Sequence, residues 1–581
     1  MTSQRLNLEK ALLPLIVAVT GHRDLGEDEG GNVARQVRQL FVTLRDTYPH
    51  TPIILLSSLA EGADRLVARA ALDCGIELYI VLPMQLDVYE QDFGSKQSLE
   101  EFRELMRSGC DASVVPMADD RDAHAARVPG PARDRRYAAA GAFMVSYSQI
   151  LIALWDGSPD EMLGGTSQIV RFALQGVPPK YLSGSKEPLR TNETGAVYHV
   201  RVNRASQPAS SLLGVATWLY PGADVADEAA VRAVRAAFDE NLRSLECFNR
   251  DATTPSLGSQ ARTSAEYLLP SNQAAFLNAD GVILEYTRSL FGLADALALR
   301  CRNWTHAAMT SIFFAIGAAA ILFSLYTNLF PDQMALYVGF LTLVAIAFAV
   351  DMVVSRKRMQ DRFQDYRALA EGFRVQFYWR LAGIPESVYD HYLARQEGEL
   401  EWIRNAMRAS RFRRQIEPAT ELASGKMQAL LELIHARWIG DQGAYFSQAV
   451  GNEREKANRI KSGARTCLIV TGIVAAVLMA TLIEHASAYR GILIMVLTLA
   501  LAGAGLFTGY TQKRAHEEHA RRYQRMCVLY KISGERVSLL LREGDLAGVR
   551  SVLLQLGREA LAETCDWLLL HRERQIDVPT A

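Results

Sequence analysis

The chain has 581 residues, enough for several domains. Its 63 Lys and Arg against 64 Asp and Glu leave a net charge of −1, without the positive excess that general nucleic-acid binding needs. A mean hydropathy of +0.01 means that any strongly apolar stretch is diluted by polar regions. The 7 cysteines stand singly, with no CxxC pair, which points away from zinc or disulfide chemistry and fits a reducing compartment.

The polar start, Met1 to Lys10, and the short apolar run Leu12 to Val19, with Pro14 inside it, read as the approach to a buried strand rather than as a signal peptide. Strand patterns follow at Leu15–Val19, Pro52–Leu56, Glu77–Val81, Ser113–Val115, Gln149–Leu154 and Val197–Val202. Helical patterns lie between them at Gly31–Thr47, Asp64–Cys74, Ala132–Ser146 and Thr166–Leu174. This alternation predicts an α/β, Rossmann-like, doubly wound parallel sheet, with ligands at the carboxyl ends of its strands.

A polar linker, Ser206–Ser211, and helical patterns at Asp224–Glu240 and Asn278–Leu299 lead to an α-helical membrane region. Ala307–Tyr326, Met334–Val354, Cys467–Ile483 and Gly491–Tyr510 are apolar enough and long enough to predict four transmembrane helices in two hairpins. Arg300, Arg302, Arg356 to Arg358, Arg362, Arg459, Lys461, Arg465, Lys513 and Arg514 flank them on one side, whereas the hairpin loops hold only Arg490. The positive-inside rule therefore puts both termini and the central region in the cytoplasm. The motif Ser355 to Arg358 recurs as Thr511 to Arg514, so each hairpin is expected to run on into the cytoplasm as a long helix. Gly505 with Gly509, and Ala315 with Ala319, are candidate close-packing pairs. Arg367–Arg414, Leu422–Arg459 and Glu535–Leu570 read as cytoplasmic helices.

The candidate ligand-binding residues fall at strand ends. Thr20, Gly21, His22 and Arg23 follow the first strand, with a glycine for close backbone approach and two donors for an anion. Ser58, Glu61, Gly62, Ala63 and Asp64 join the second strand to a helix whose free amides suit a phosphate. Asp156 and Gly157 follow the fifth long strand, and Gly164, Gly165 and Thr166 open another helix. Asp64 and Asp156 can accept from ribose or base groups. No residue set suggests a metal.

Thr20 to Arg23, Gly62 to Asp64, Trp155 to Gly157 and Gly164 to Thr166 together resemble the SLOG superfamily, which includes LOG enzymes, DprA-type proteins and sensors of bacterial defence systems. The resemblance covers about the first third of the chain. The membrane region, with Trp438 to Gln442, Tyr445 and Phe446 ahead of the third span, is similar in layout to SLATT effector modules.

These resemblances imply a nucleotide-derived ligand, a homo-oligomer in the bacterial inner membrane, and permeabilisation of that membrane in antiphage defence. The alternatives are a membrane-anchored phosphoribohydrolase or a ligand-gated channel. LOG enzymes carry a glutamate where this chain has Ile169, which cannot handle a proton. Glu61 is the remaining carboxylate for an enzymatic reading. The expected segments are a nucleotide-binding domain (1–210), a helical linker (211–303), the first hairpin (304–356), a cytoplasmic helical region (357–465), the second hairpin (466–511) and C-terminal helices (512–581).

Overall fold

A computed structural model describes residues 11–25, 30–116, 125–159, 162–181, 194–203, 214–224, 226–270, 273, 281–392, 400–412, 424–483 and 489–572. The linker at 206–211 and most of the second hairpin loop lie outside them. Two compact units form, and they do not follow chain order. One comprises 1–259, 277–290 and 385–421; the other comprises 260–276, 291–384 and 422–581.

The first unit is built on a seven-stranded sheet: β1 (Leu15–Gly21), β2 (Ile53–Ser57), β3 (Glu77–Leu82), β4 (Asp111–Val114), β5 (Ile150–Trp155), β6 (Ala196–Arg201) and β7 (Ala216–Leu219). The order is β4-β3-β2-β1-β5-β6-β7, parallel except for β7, which pairs antiparallel with β6. The predicted doubly wound sheet is present. The apolar runs of β1, β2 and β5 are buried because helices cover both faces of a parallel sheet.

Sequence patterning missed β7 and the helices Leu86–Tyr89 and Lys96–Ser108. The first is an edge strand of four residues, and the last buries only Phe102 and Leu105, so periodicity had little to register.

Distant segments complete this unit. Asn249, fully buried on the helix Glu228–Ala252, donates to Leu13 O at 2.8 Å and accepts from Leu13 N at 3.0 Å. Its amide thus mimics one more ladder partner ahead of β1. Tyr286 donates to Leu12 O at 2.8 Å, and Arg408 donates to Ser148 O at 3.3 Å. These polar ties explain why 277–290 and 385–421 belong to this unit.

The second unit is helical. Four of its helices, within 283–328, 334–356, 425–480 and 490–543, are long and apolar enough to cross a membrane. Their apolar side chains point outward: Phe314 is 77% exposed, Ile469 62% and Phe348 61%. That pattern suits a lipid-facing surface, since a water-soluble fold would bury such groups. The first span packs on the second through Ile312, Ala315 and Ala347. It meets the fourth through Phe313 and Tyr510, and through a hydrogen bond between Ser324 and Thr498. Ala315 and Ala319 are buried as expected, whereas a side chain at Gly505 would meet only open space.

The expected continuation of each hairpin as one long helix needs correction. Helix Met334–Arg356 ends at a break before Met359–Leu381, and Arg490–Arg514 ends at a break before His516–Glu543. The incoming helices, Gly281–Asn328 and Asp441–Ile483, are unbroken.

Below the spans, the second unit has an aromatic core. Trp438 is fully buried in a π-helical turn, His435–Gly440, and stacks on Tyr378 at 5.1 Å with the rings 6° apart. Phe446 packs on Tyr523 and Tyr530. Trp379 is buried and donates to Leu553 O at 3.1 Å.

Candidate functional site

In a doubly wound sheet the crevice for a ligand opens where the strand order reverses. Here that point lies between β1 and β5, paired in register from Val17↔Ile150 to Gly21↔Leu154. A cavity of about 390 Å³ sits at their carboxyl ends. That volume suits a small nucleotide-sized ligand.

Thr20, Gly21, His22, Arg23, Ser58, Asp64, Gly164, Gly165 and Thr166 line it. Glu61, Gly62, Ala63, Asp156 and Gly157 are not among its lining residues.

Each omission has a local cause. The Glu61 carboxylate accepts from Ser98 Oγ, at the start of the helix Lys96–Ser108. Gly62 has φ +76°, and a Cβ there would stand 2.3 Å from Arg23 O, so this glycine lets the two loops touch. The first helical amide, Ala63 N, donates to His22 O at 3.0 Å and is engaged within the protein. Asp156 accepts from Ser158 N at 2.9 Å, and Gly157 has φ +86°, so the pair forms the turn after β5.

His22 is 6% exposed, and its Nε2 lies 3.2 Å from Asp156 N as an acceptor of that N–H. The same Nε2 is 3.4 Å from Asp156 Oδ1, so the role of His22 is to pin the β1 loop to the β5 turn. Arg23 stands exposed at the mouth, its guanidinium 5.2 Å from the ring centre of Tyr137. It is the group best placed to meet an incoming anion.

Gly165 caps the ten-residue helix Thr166–Gln175. Gly165 O accepts from Gln168 N and Ile169 N, leaving Thr166 and Ser167 as the first-turn amides that have no partner inside the helix. Gly164 has φ +78°, and a Cβ there would approach Tyr137 Cβ to 2.8 Å. The glycine pair thus lets this helix start close against Pro131–Tyr147.

Asp64 is buried, and loss of solvent pushes its carboxyl up to about 7 despite a hydrogen bond from Ala60 N and the nearby Arg23 charge. Asp24 and Asp134 also line the cavity. One arginine thus faces three carboxyl groups, which argues against a bare phosphate. It suits a ligand that combines an anionic end with hydroxyl or amino donors.

The helix Pro131–Tyr147 supplies most of what sequence reasoning missed: Asp134, Tyr137, Gly141 and Met144. Arg136 holds it over the strand ends, donating to Pro83 O at 2.7 Å, Val115 O at 2.5 Å and Pro116 O at 3.1 Å. Tyr137 donates to Asp92, which also receives Arg133. The available signal was the small-residue run Ala138 to Ala142, which permits close packing. A Cβ on Gly141 would lie 2.2 Å from Ile169 Cδ1. Ile169 itself is 2% exposed and packed as a core residue.

Leu59 adopts φ +56° while fully buried, with its N–H on Ser57 Oγ at 3.0 Å and its carbonyl receiving Arg65 Nε at 3.1 Å. A left-handed leucine carries strain on the order of 1 kcal/mol. It holds the β2 loop beside the cavity. Among the described residues no group of three or more His, Cys, Asp or Glu is arranged to hold a metal. Compared with known proteins by sequence, the chain matches no family model and no curated relative.

Proposed function

We propose that the chain is a membrane-anchored sensor-effector, in which the cavity between β1 and β5 binds a phosphorylated, nucleotide-derived ligand. The observation that carries this reading is the meeting, at the strand-order reversal, of exposed Arg23 with the first-turn amides of Thr166 and Ser167. The anionic end of the ligand lies between them. Asp64, Asp24 and Asp134 accept from its hydroxyl or amino groups, and Tyr137 offers a ring face to a base.

The helix Gly281–Asn328 gives the sensor a covalent route to the membrane. Its early turns are tied to the segment before β1 through Tyr286, and its later turns form the first apolar span. A ligand that favours one arrangement of this helix over another changes span packing or oligomer state, to the extent that its affinity for the two differs. In the orientation given by the basic flanks, both termini are cytoplasmic and the membrane is a bacterial inner membrane. The output is permeabilisation during antiphage defence.

Full-length protein in liposomes, with a panel of cyclic and ADP-ribose-type nucleotides, tests this. One member is expected to release trapped dye, and Gly165→Trp is expected to abolish the response. Release that no nucleotide alters overturns the reading.

Asp64 supports a second reading. A carboxyl titrating near neutrality in a cavity can shuttle a proton, so a nucleotide hydrolase is the rival. Ile169, packed against Gly141 where LOG enzymes carry their glutamate, weighs against it. Free base released from nucleoside monophosphates by the wild type, and lost in Asp64→Asn, would favour the hydrolase.

A further inference from the structure

A second cavity, of about 450 Å³, lies wholly within the helical unit. Arg302 and Met309 line it just ahead of and within the first span, Lys513 and Arg514 at the end of the fourth, and Arg367 and Lys456 from flanking helices. It therefore opens where the apolar helices begin and end.

Its charge is one-sided. Arg302, Arg367, Lys456, Lys513 and Arg514 line it, against a single carboxylate, Glu453. Glu453 is already engaged: Lys456 Nζ lies 2.8 Å away and His516 Nδ1 2.5 Å away. These contacts hold its carboxyl near 2, even though burial opposes the charge. It cannot neutralise the arginines as well.

Arg302 has no ion-pair partner among the described residues and donates only to Asn303 Oδ1, at 3.5 Å; Arg367 lies over the Trp567 ring at 4.7 Å, with the carboxylates of Glu563 and Glu371 acting on it from its other side without a direct ion pair. Arg514 keeps a buried Nε without a hydrogen-bond partner. Partly buried cations that outnumber the carboxylates around them are costly, and a bound anion reduces that cost. Guanidinium groups fit phosphate oxygens in pairs, and basic pockets between membrane helices suit phospholipid headgroups.

We infer that this cavity binds a phosphate-bearing anion, from a phospholipid headgroup or from a soluble phosphate, at the cytoplasmic mouth of the span bundle. The inference rests on the reading that the four apolar helices cross a bilayer. The site is separate from the sheet cavity, and an anion there ties the ends of the first and fourth spans to the helices that follow the second and precede the third.

The test uses the full-length chain in phosphatidylcholine nanodiscs. Thermal unfolding and binding are followed with phosphatidylglycerol added to the disc in one arm and inorganic phosphate added to the buffer in the other. The wild type is expected to be stabilised in at least one arm, and which arm responds names the source. Arg302→Gln and Arg367→Gln are each expected to weaken that binding by about tenfold or more. Arg367→Lys is expected to keep part of it, and Gly165→Trp all of it.

Melting without anion shows whether each variant is folded; if Arg367→Gln is not, Arg302→Gln decides. A wild type indifferent to both anions, or a folded glutamine variant that responds like wild type, overturns the inference. Alkaline carbonate washing of membranes checks the bilayer reading on its own. If the chain is stripped into the supernatant, that reading fails, and the inorganic phosphate arm alone decides the site.

Discussion

Arg358 and Ala515, 157 positions apart, share one backbone conformation, φ 47° and ψ 40° in the first and φ 48° and ψ 33° in the second. Each is a single left-handed residue between an apolar helix and the helix that follows it. The basic motifs that mark the repeat in sequence, Ser355 to Arg358 and Thr511 to Arg514, are offset by one position less. The two halves of the membrane region are therefore built to one plan: a long unbroken helix in, an apolar helix out, then a left-handed kink.

A non-glycine residue in that conformation is strained by roughly 1–2 kcal/mol. Ala515→Gly is expected to relieve part of it and stabilise the helical unit by up to about 1 kcal/mol, offset by the greater freedom of glycine in the unfolded chain. Ala515→Val is expected to destabilise it. Thermal melting in detergent, read by circular dichroism, gives both signs.

Gly141 and Ile169 allow a test of the sheet cavity's back wall. Gly141→Val adds carbon where Ile169 Cδ1 already stands 2.2 Å from a Cβ position. Overpacking of this kind costs typically 1–3 kcal/mol. Adding Ile169→Ala is expected to recover part of the loss, which a double-mutant cycle on melting midpoints measures.

Asp64 predicts a pH dependence. Its carboxyl moves from an ordinary value of 3.8 to about 7 in the fold, because burial disfavours the charge. A raised folded value means that the contribution to stability is full below about pH 4 and is lost as pH rises through about 7. Asp64→Asn cannot ionise. The variant is expected to gain on the wild type between those limits and to hold a constant advantage above them, as unfolding midpoints across pH would show.

Trp379 anchors the aromatic core of the helical unit. Its indole fills the space left by Gly557, where a Cβ would lie 2.4 Å from Trp379 Nε1. Trp379→Ala is expected to cost about 3–5 kcal/mol. Gly557→Leu is expected to be similarly damaging, because backbone and ring cannot both give way. Limited proteolysis of the helices Met359–Leu381 and Leu546–Arg572 reports either loss.

The sequence by itself determined the doubly wound sheet's main strands and the four apolar helices. Both are written in local pattern: runs such as Leu15–Val19 are uniformly apolar because helices cover both faces, and stretches such as Met334–Val354 are apolar for the length of a bilayer. It also marked the strand ends where the cavity opens, through Thr20 to Arg23 and Gly164 to Thr166.

Only the tertiary structure decided which marked residues share that cavity. Asp156 closes its own local turn, while Glu61 turns to Ser98 and Gly62 serves loop contact with Arg23, choices that depend on partners far away in sequence. The same holds for Tyr137 and Asp134, brought in by Arg136 capturing carbonyls of Pro83, Val115 and Pro116, and for the cationic cavity gathered from six separate helices. Periodicity records which face of an element is buried; it does not record which elements meet, because that is fixed by packing and hydrogen bonds between segments distant in the chain.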